Sequence, residues 1–216
     1  NTKYNIGSTL TVHTSRTLDC NSADLTSAVA NTFTMEQNSE LHSCIFDMTA
    51  EQPAVLINGT GVTIGGSGNG NTFKGFDDAW LITSAQNNLT VSHNTFLAGT
   101  GASDYKAISS SGTGATFTSN TMTGAITKGI EISGGNAELK SNSIVSSSLT
   151  KGTNSGEAHT GIRITGGSAA HTLGNTSNNG EGNTVEGFNT CISTTYQADI
   201  HGSDIDNCTT GILHNS

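Results

Sequence analysis

Apolar residues recur along the chain in a six-residue frame, Φ-x-x-N-x-Φ, where Φ is apolar. The frame is complete in Val91-Ser-His-Asn-Thr-Phe96, Phe117-Thr-Ser-Asn-Thr-Met122 and Leu139-Lys-Ser-Asn-Ser-Ile144. Leu41-His-Ser-Cys-Ile-Phe46 and Ile200-His-Gly-Ser-Asp-Ile205 keep its apolar ends and put Cys44 or Ser203 in the place of Asn. Its first apolar position marks Leu41, Ile64, Val91, Phe117, Leu139, Leu173 and Ile200, at spacings of 23, 27, 26, 22, 34 and 27 residues. A recurrence in the range of about 20–50 residues is the signature of a solenoid.

Each unit also holds a later strand-like stretch: Val55-Leu-Ile57, Trp80-Leu-Ile82, Lys106-Ala-Ile-Ser109, Ile130-Glu-Ile132, Ile162-Arg-Ile164, Ile192-Ser-Thr194 and Ile212-Leu-His214. Alternation of period two between Gly, Asn and Ser clusters predicts short strands joined by turns. Three strands per unit, stacked at about 4.8 Å, give an all-β solenoid of about seven turns. Ile130, Ile132, Phe117 and Leu139 are predicted to point inward and Glu131 and Glu138 outward, and the same alternation puts Trp80 inward. Asn94, Asn120 and Asn142 are expected to form a hydrogen-bonded ladder where the chain turns. Ser22–Ala30 carries a helix-like spacing, and residues 1–38 are expected to cap the β-helix of residues 39–216.

With Gly129-Ile-Glu-Ile-Ser133 and Gly161-Ile-Arg-Ile-Thr165, the chain resembles the right-handed, single-stranded parallel β-helices of the pectin-lyase-like superfamily over residues 40–216. The resemblance implies the fold. It leaves the activity open, because the superfamily includes pectate lyases, polygalacturonases, phage tailspikes, adhesins and non-catalytic surface proteins. Polygalacturonase-like members share an Asn-Thr-Asp segment, an Asp pair, a Gly-His-Gly segment and an Arg-Ile-Lys segment. This chain offers Asp77-Asp78 and Arg163-Ile-Thr165, so the carboxylate constellation of glycoside hydrolysis is incomplete. Leu89-Thr-Val-Ser-His-Asn-Thr-Phe96 is locally similar to pectate lyases, whose chemistry needs a calcium cage and an arginine base. Arg16 and Arg163 are the only arginines here. No catalytic residue and no metal ligand set is assigned.

Composition narrows the partners. A net charge of −9 with eight Lys and Arg cannot supply the clustered cations of a nucleic-acid surface. No apolar run reaches the roughly 20 residues of a membrane span, and Asn1-Thr-Lys-Tyr4 lacks a leader pattern, so the segment reads as a mature or excised soluble piece. No cofactor is implied. Asp199, Asp204 and Asp206 are the one tight acidic group, in the last turn, where they read as an exposed rim.

Polysaccharide or a cell-surface glycan is the partner the pattern favours. The long insertion Ser146–Thr160 brings Glu157 and His159 beside Glu131 and Arg163, a set that serves as the glycan-contact candidate because loops carry function on a rigid scaffold. A lateral ion pair between Glu131 and Arg163, at equivalent positions of successive units, is the simpler account of those two. A column of Thr72, Thr95, Thr121, Ser143 and Thr184 raises a minor alternative, an ice-binding solenoid. Its partner column Thr63, Thr90 and Thr116 is interrupted by Glu138.

None of the four cysteines stands in a C-x-x-C motif, and three pairings are open to them. Separations of 24 and 17 residues, near one turn, favour Cys20 with Cys44 and Cys191 with Cys208 as disulfides between neighbouring turns. Asn58, Asn88, Asn175 and Asn207 stand in N-x-[ST] sequons, acceptors for glycosylation on a eukaryotic secretory route. Gly211-Ile-Leu-His-Asn-Ser216 leaves Ile212 on an uncovered core, which predicts either a longer parent chain or self-association through that end or side by side. The expectation is a secreted, cell-surface or virion-surface β-helix with a structural or adhesive role, glycan binding being its candidate activity. A polysaccharide lyase or glycoside hydrolase of phage-tailspike type is the alternative.

Overall fold

A computed structural model describes residues 3–27, 32–48, 54–75, 80–99, 105–147, 159–167, 170–175 and 179–215. The described chain is built almost entirely of short strands. The first turns run through β1 (Lys3–Ile6), β2 (Leu10–Val12), β3 (Thr17–Asp19), β4 (Asp24–Ser27), β5 (Phe33–Met35) and β6 (Glu40–His42). They continue through β7 (Ile45–Met48), β8 (Val55–Ile57), β9 (Thr63–Ile64), β10 (Thr72–Lys74), β11 (Trp80–Ser84) and β12 (Thr90–Ser92). The middle holds β13 (Thr95–Leu97), β14 (Tyr105–Ser110), β15 (Thr116–Thr118), β16 (Thr121–Gly124), β17 (Ile126–Ile132) and β18 (Glu138–Lys140). The last turns are β19 (Ser143–Ser146), β20 (Thr160–Ile164), β21 (His171–Leu173), β22 (Thr184–Glu186), β23 (Thr190–Thr194), β24 (Ala198–Ile200), β25 (Asp204–Asp206) and β26 (Thr210–His214).

Every third strand joins the same sheet. Sheet I is β1-β4-β7-β10-β13-β16-β19-β22-β25, sheet II is β2-β5-β8-β11-β14-β17-β20-β23-β26, and sheet III runs from β3 to β24 in eight strands. All pairings are parallel, so the protein is a three-sided parallel β-solenoid of about eight turns.

The repeat markers stand in one column. Leu41, Ile64, Val91, Phe117, Leu139, Leu173 and Ile200 are successive partners in sheet III, and Leu18 extends the column by one turn. Stacking like on like lets each parallel strand bury its inward residue against an identical neighbour. In sheet I, Phe46, Phe73 and Phe96 stack with nearly parallel ring planes, centroids 4.7 and 5.0 Å apart, before Met122, Ile144 and Val185 continue the column. Phe117, Ile130, Ile132 and Leu139 are fully buried, as their alternation predicts, while Glu131 and Glu138 are partly exposed.

Two local expectations are corrected. Within Ser22–Ala30, Asp24–Ser27 is strand β4 and residues 28–30 lie outside those described. Its Leu25 is buried in register with Phe46, so packing and ladder hydrogen bonds override the weak helical preference of an Ala-rich segment. Trp80 is half-buried and sits in register with Lys106, not on the Val55 column, which passes through Ile82. The cause is a break in alternation. In sheet II two consecutive residues are buried, Leu81-Ile82, Ala107-Ile108 and Gly129-Ile130, so Trp80, Lys106 and Lys128 before them face outward, whereas Thr160, before Gly161-Ile162, is itself buried.

The first member of that pair enters a tight corner. A Cβ on Gly129 would lie 2.7 Å from Ile144 Cγ2, and one on Gly161 2.3 Å from Val185 Cγ1. The glycines of the Gly-Ile-x-Ile repeats therefore bring sheet II close to sheet I.

At the corner between sheets III and I the expected asparagine ladder is present and longer than expected. Asn71, Asn94, Asn120, Asn142 and Asn183 are all buried. From Asn71 to Asn142 each side-chain Nδ2 donates to the next Oδ1 at 2.9–3.1 Å, and all five Nδ2 groups donate to a backbone carbonyl of the preceding turn. Cys44 begins the column by donating its backbone N–H to Asn71 Oδ1 at 2.9 Å, and Ser203 Oγ ends it by accepting from Asn183 N at 3.4 Å.

The cysteines pair as Cys20–Cys44 and Cys191–Cys208, with Cα atoms 4.8 and 5.8 Å apart. The first bridge joins the two turns at the head of the asparagine column. The second ties β23 to the connection between β25 and β26.

Candidate functional site

Connections from sheet II to sheet III are nearly uniform in length, whereas those from sheet I to sheet II range from one residue, Ala125, to thirteen, 147–159. Residues 28–31, 49–53, 76–79, 100–104 and 148–158, all outside the described residues, fall in this second set. Variable connections on a regular scaffold mark where function is placed. The strands they lead into are those of sheet II.

Its outer face carries two columns. The column nearer those connections exposes Trp80, Lys106 and Lys128 and continues in register through buried Thr160 and Thr190 to Thr210. The other holds Thr11, Thr34, Leu56, Thr83, Ser109, Glu131 and Arg163 and ends at buried Ser193. Lys128 Nζ lies 6.0 Å from the Trp80 ring centroid, a cation–π contact that holds the ammonium over the indole. Arg163 Nη1 donates to Glu131 Oε2 at 3.2 Å, so the lateral ion pair read from the repeat is formed.

Toward the N-terminal turns the same face opens into a polar groove whose lining includes Thr11, Thr34, Glu36, Asn58 and Gln86. Glu36 is held below the usual carboxylate range, first by the Thr14 backbone N–H at 3.0 Å and then by His13 Nδ1 at 3.3 Å. It therefore presents a carboxylate, an acceptor, to the groove.

Of the four glycan-contact candidates, Glu131 and Arg163 come together, while His159 is half-buried and its carbonyl accepts from Thr190 N at 3.2 Å. Glu157 lies outside the described residues, as do Asp77 and Asp78. Asp199, Asp204 and Asp206 sit on β24 and β25 in the last turn, and among the described residues no three acidic, imidazole or thiol groups converge as metal ligands. Sequon residues Asn58, Asn88 and Asn207 are exposed, the last donating to Glu186 Oε1 at 2.8 Å. Asn175 is half-buried and donates to Glu181 Oε2 at 2.7 Å.

The two threonine columns do not share a face. Thr72, Thr95, Thr121, Ser143 and Thr184 belong to sheet I and Thr63, Thr90 and Thr116 to sheet III. The true neighbour of the first column on sheet I is Lys74, Leu97, Thr123, Val145 and Glu186.

Sequence reasoning missed Trp80, Lys106 and Lys128 as one group. Each stands two residues before an isoleucine of the Ile82, Ile108, Ile130 column, a regularity visible once that column is aligned. Comparison of the chain with protein-family models, with curated proteins and with solved structures finds no match. Among the described residues no helix is long and apolar enough to cross a membrane.

Proposed function

We propose that this chain is an extracellular or surface-displayed β-helix of the pectin-lyase-like kind, structural or adhesive in role, whose sheet II outer face holds a polysaccharide. The alignment of Trp80, Lys106 and Lys128 beside Thr83, Ser109, Glu131 and Arg163 carries this reading. A half-exposed indole offers a flat face to the apolar side of a sugar ring. The flanking ammonium, guanidinium, carboxylate and hydroxyl groups, repeated at about 4.8 Å along the axis, match the dense donors and acceptors of a polyhydroxylated chain. Two disulfides fit an oxidising compartment, and the exposed sequons Asn58, Asn88 and Asn207 fit glycosylation there.

Affinity electrophoresis through gels containing neutral or acidic polysaccharides tests the reading. The protein is expected to be retarded by at least one of them, and Trp80→Ala and Lys128→Ala to migrate as in an empty gel. Equal retardation of Trp80→Ala, or no retardation by any polysaccharide, rejects the site. Release of unsaturated products or new reducing ends rejects the non-catalytic role.

A further inference from the structure

Across four turns the corner between sheets II and III is hollowed into a groove of 710 Å³, within the about 300–1,000 Å³ of small-molecule sites. Thr11 and Thr34 reach it from the outer face of sheet II, and Gln37, Asn58 and Gln86 from the connections of three successive turns. These connections are pressed together, since a Cβ on Gly59 would lie 2.0 Å from Gln37 N. The turns thus stack at backbone contact and leave the chemistry of the groove to the amides and hydroxyls beside it.

Glu36 is the one carboxylate among the described residues that line the groove, and none of them is a lysine, an arginine or an aromatic residue. The Thr14 backbone N–H at 3.0 Å, the Thr14 hydroxyl at 3.3 Å and His13 Nδ1 at 3.3 Å all engage its Oε2. Those bonds fix the carboxylate in place and favour its charged form, and they leave Oε1 for a ligand.

We propose that this groove binds an amino sugar, the Glu36 carboxylate accepting from its protonated amine while the amides of Gln37, Asn58 and Gln86 pair with the ring hydroxyls. An ammonium on a carboxylate makes a charge-assisted hydrogen bond, stronger than a neutral one. One carboxylate among neutral donors and acceptors suits one ammonium set among hydroxyls, whereas a calcium-like cation draws on several carboxylate and carbonyl oxygens. With no aromatic ring in the lining, the sugar is held by its polar edges. Trp80 opens β11 and Gln86 lies beyond its end, so this site and the Trp80 face occupy opposite edges of sheet II and neither rests on the other. A glycan on Asn58 would stand in the groove, so the chain that binds is the one unmodified at Asn58.

Isothermal titration calorimetry tests the site on the 216-residue chain made in the bacterial periplasm, which adds no N-linked glycan. The probes are the β-1,4-linked glucosamine tetramer and its fully N-acetylated counterpart, at about pH 6, where the amines and not Glu36 carry protons. The amine form is expected to bind about tenfold more tightly. Glu36→Gln, which keeps an oxygen for the Thr14 N–H, should erase that preference with thermal unfolding unchanged, and Gln86→Ala should weaken the amine form severalfold. Trp80→Ala should bind as the parent does, as should Glu138→Gln, which removes the same charge from sheet III. Equal affinity for the two tetramers, binding of neither, or a preference that survives in Glu36→Gln overturns the proposal. An equal loss in Glu138→Gln overturns it too, by reducing the preference to net charge.

Discussion

Asn120 Nδ2 donates to Asn142 Oδ1 across 2.9 Å, and the same Oδ1 accepts the Asn120 backbone N–H at 3.1 Å. One side-chain oxygen thus satisfies two donors of the neighbouring turn at a fully buried corner. The second Asn120 amide hydrogen goes to Val91 O at 2.8 Å, Oδ1 accepts from Asn94 N and Nδ2, and the main-chain carbonyl accepts from Ser143 N, so every polar group of the residue is paired within protein. Replacing it leaves Asn94 Nδ2, Asn94 N and Asn142 Oδ1 short of partners where water cannot enter. Asn120→Ala is expected to lower the unfolding free energy by about 2–4 kcal/mol, since each orphaned buried group costs about 1–3 kcal/mol. Thr123→Ala, on the outer face nearby, should change it by less than about 0.5 kcal/mol. Urea unfolding of the two variants measures the difference, and equal midpoints would show that the ladder contributes no stability.

The ladder also shows what could be read from the chain. Asn94, Asn120 and Asn142 follow their markers by three residues because only two residues separate strands of sheets III and I at those turns. Asn71 and Asn183 escape the frame because seven and ten residues occupy the same corner, 65–71 and 174–183, before the chain returns to register. Apolar columns stayed legible because burial on a stacked core demands the same side-chain type at every turn. The outer face did not, since its orientation depends on the paired buried residues at Leu81-Ile82 and Gly129-Ile130, a bend that strict alternation cannot express. His171, a polar residue that composition alone would leave on the surface, is buried. Two residues before Leu173 on β21, it shares that residue's inward parity, and its ring lies against Gly166 and Gly167.

The core and its surface can be told apart by two substitutions. Ile132 is fully buried between Ser110 and Ile164 in its column, so Ile132→Ala should cost about 2–5 kcal/mol. Glu138 is partly exposed and pairs with Lys140 on its own strand, so Glu138→Ala should lie within about 1 kcal/mol of the parent. Chemical denaturation that ranked them the other way would put the strands of sheets II and III one residue out of register.

His171 makes the fold sensitive to acid. Its Nε2–H donates to Gly166 O at 3.0 Å while Nδ1 accepts the Ala137 N–H at 3.3 Å, which requires the neutral ring. Burial is the main cause that holds its pKa below the ordinary 6.5, outweighing the Gly166 bond, which favours the charged form. In the unfolded chain the imidazole takes a proton near its ordinary pKa; in the fold it does so only at lower pH. Between those values the unfolded state binds more protons, so this contribution is complete above about 6.5 and is lost as pH falls from there toward the folded pKa. Urea midpoints at pH 7.5 and 5.5 should therefore differ more for the parent than for His171→Gln, whose amide keeps a donor and an acceptor without titrating. Parallel pH profiles for the two proteins would exclude His171 as the source.

The two disulfides should differ in kind because a solenoid's turns contact only their neighbours. Cys20–Cys44 closes a segment of 24 residues and locks the head of the asparagine column, with Cys44 fully buried. Removing it as Cys20→Ala/Cys44→Ala should cost about 3 kcal/mol through the loop entropy returned to the unfolded chain. Cys191–Cys208 tethers β25 and β26, where among the described residues Ile205 and Ile212 have a register partner on one side only. Cys191→Ala/Cys208→Ala should therefore release β25 and β26 before the rest of the fold. Hydrogen exchange is the measurement that separates these outcomes. Protection should fall in β25 and β26 alone for the second pair, and loss spread evenly over all three sheets would mean that the solenoid unfolds as one cooperative unit and that the end turns have no independent stability.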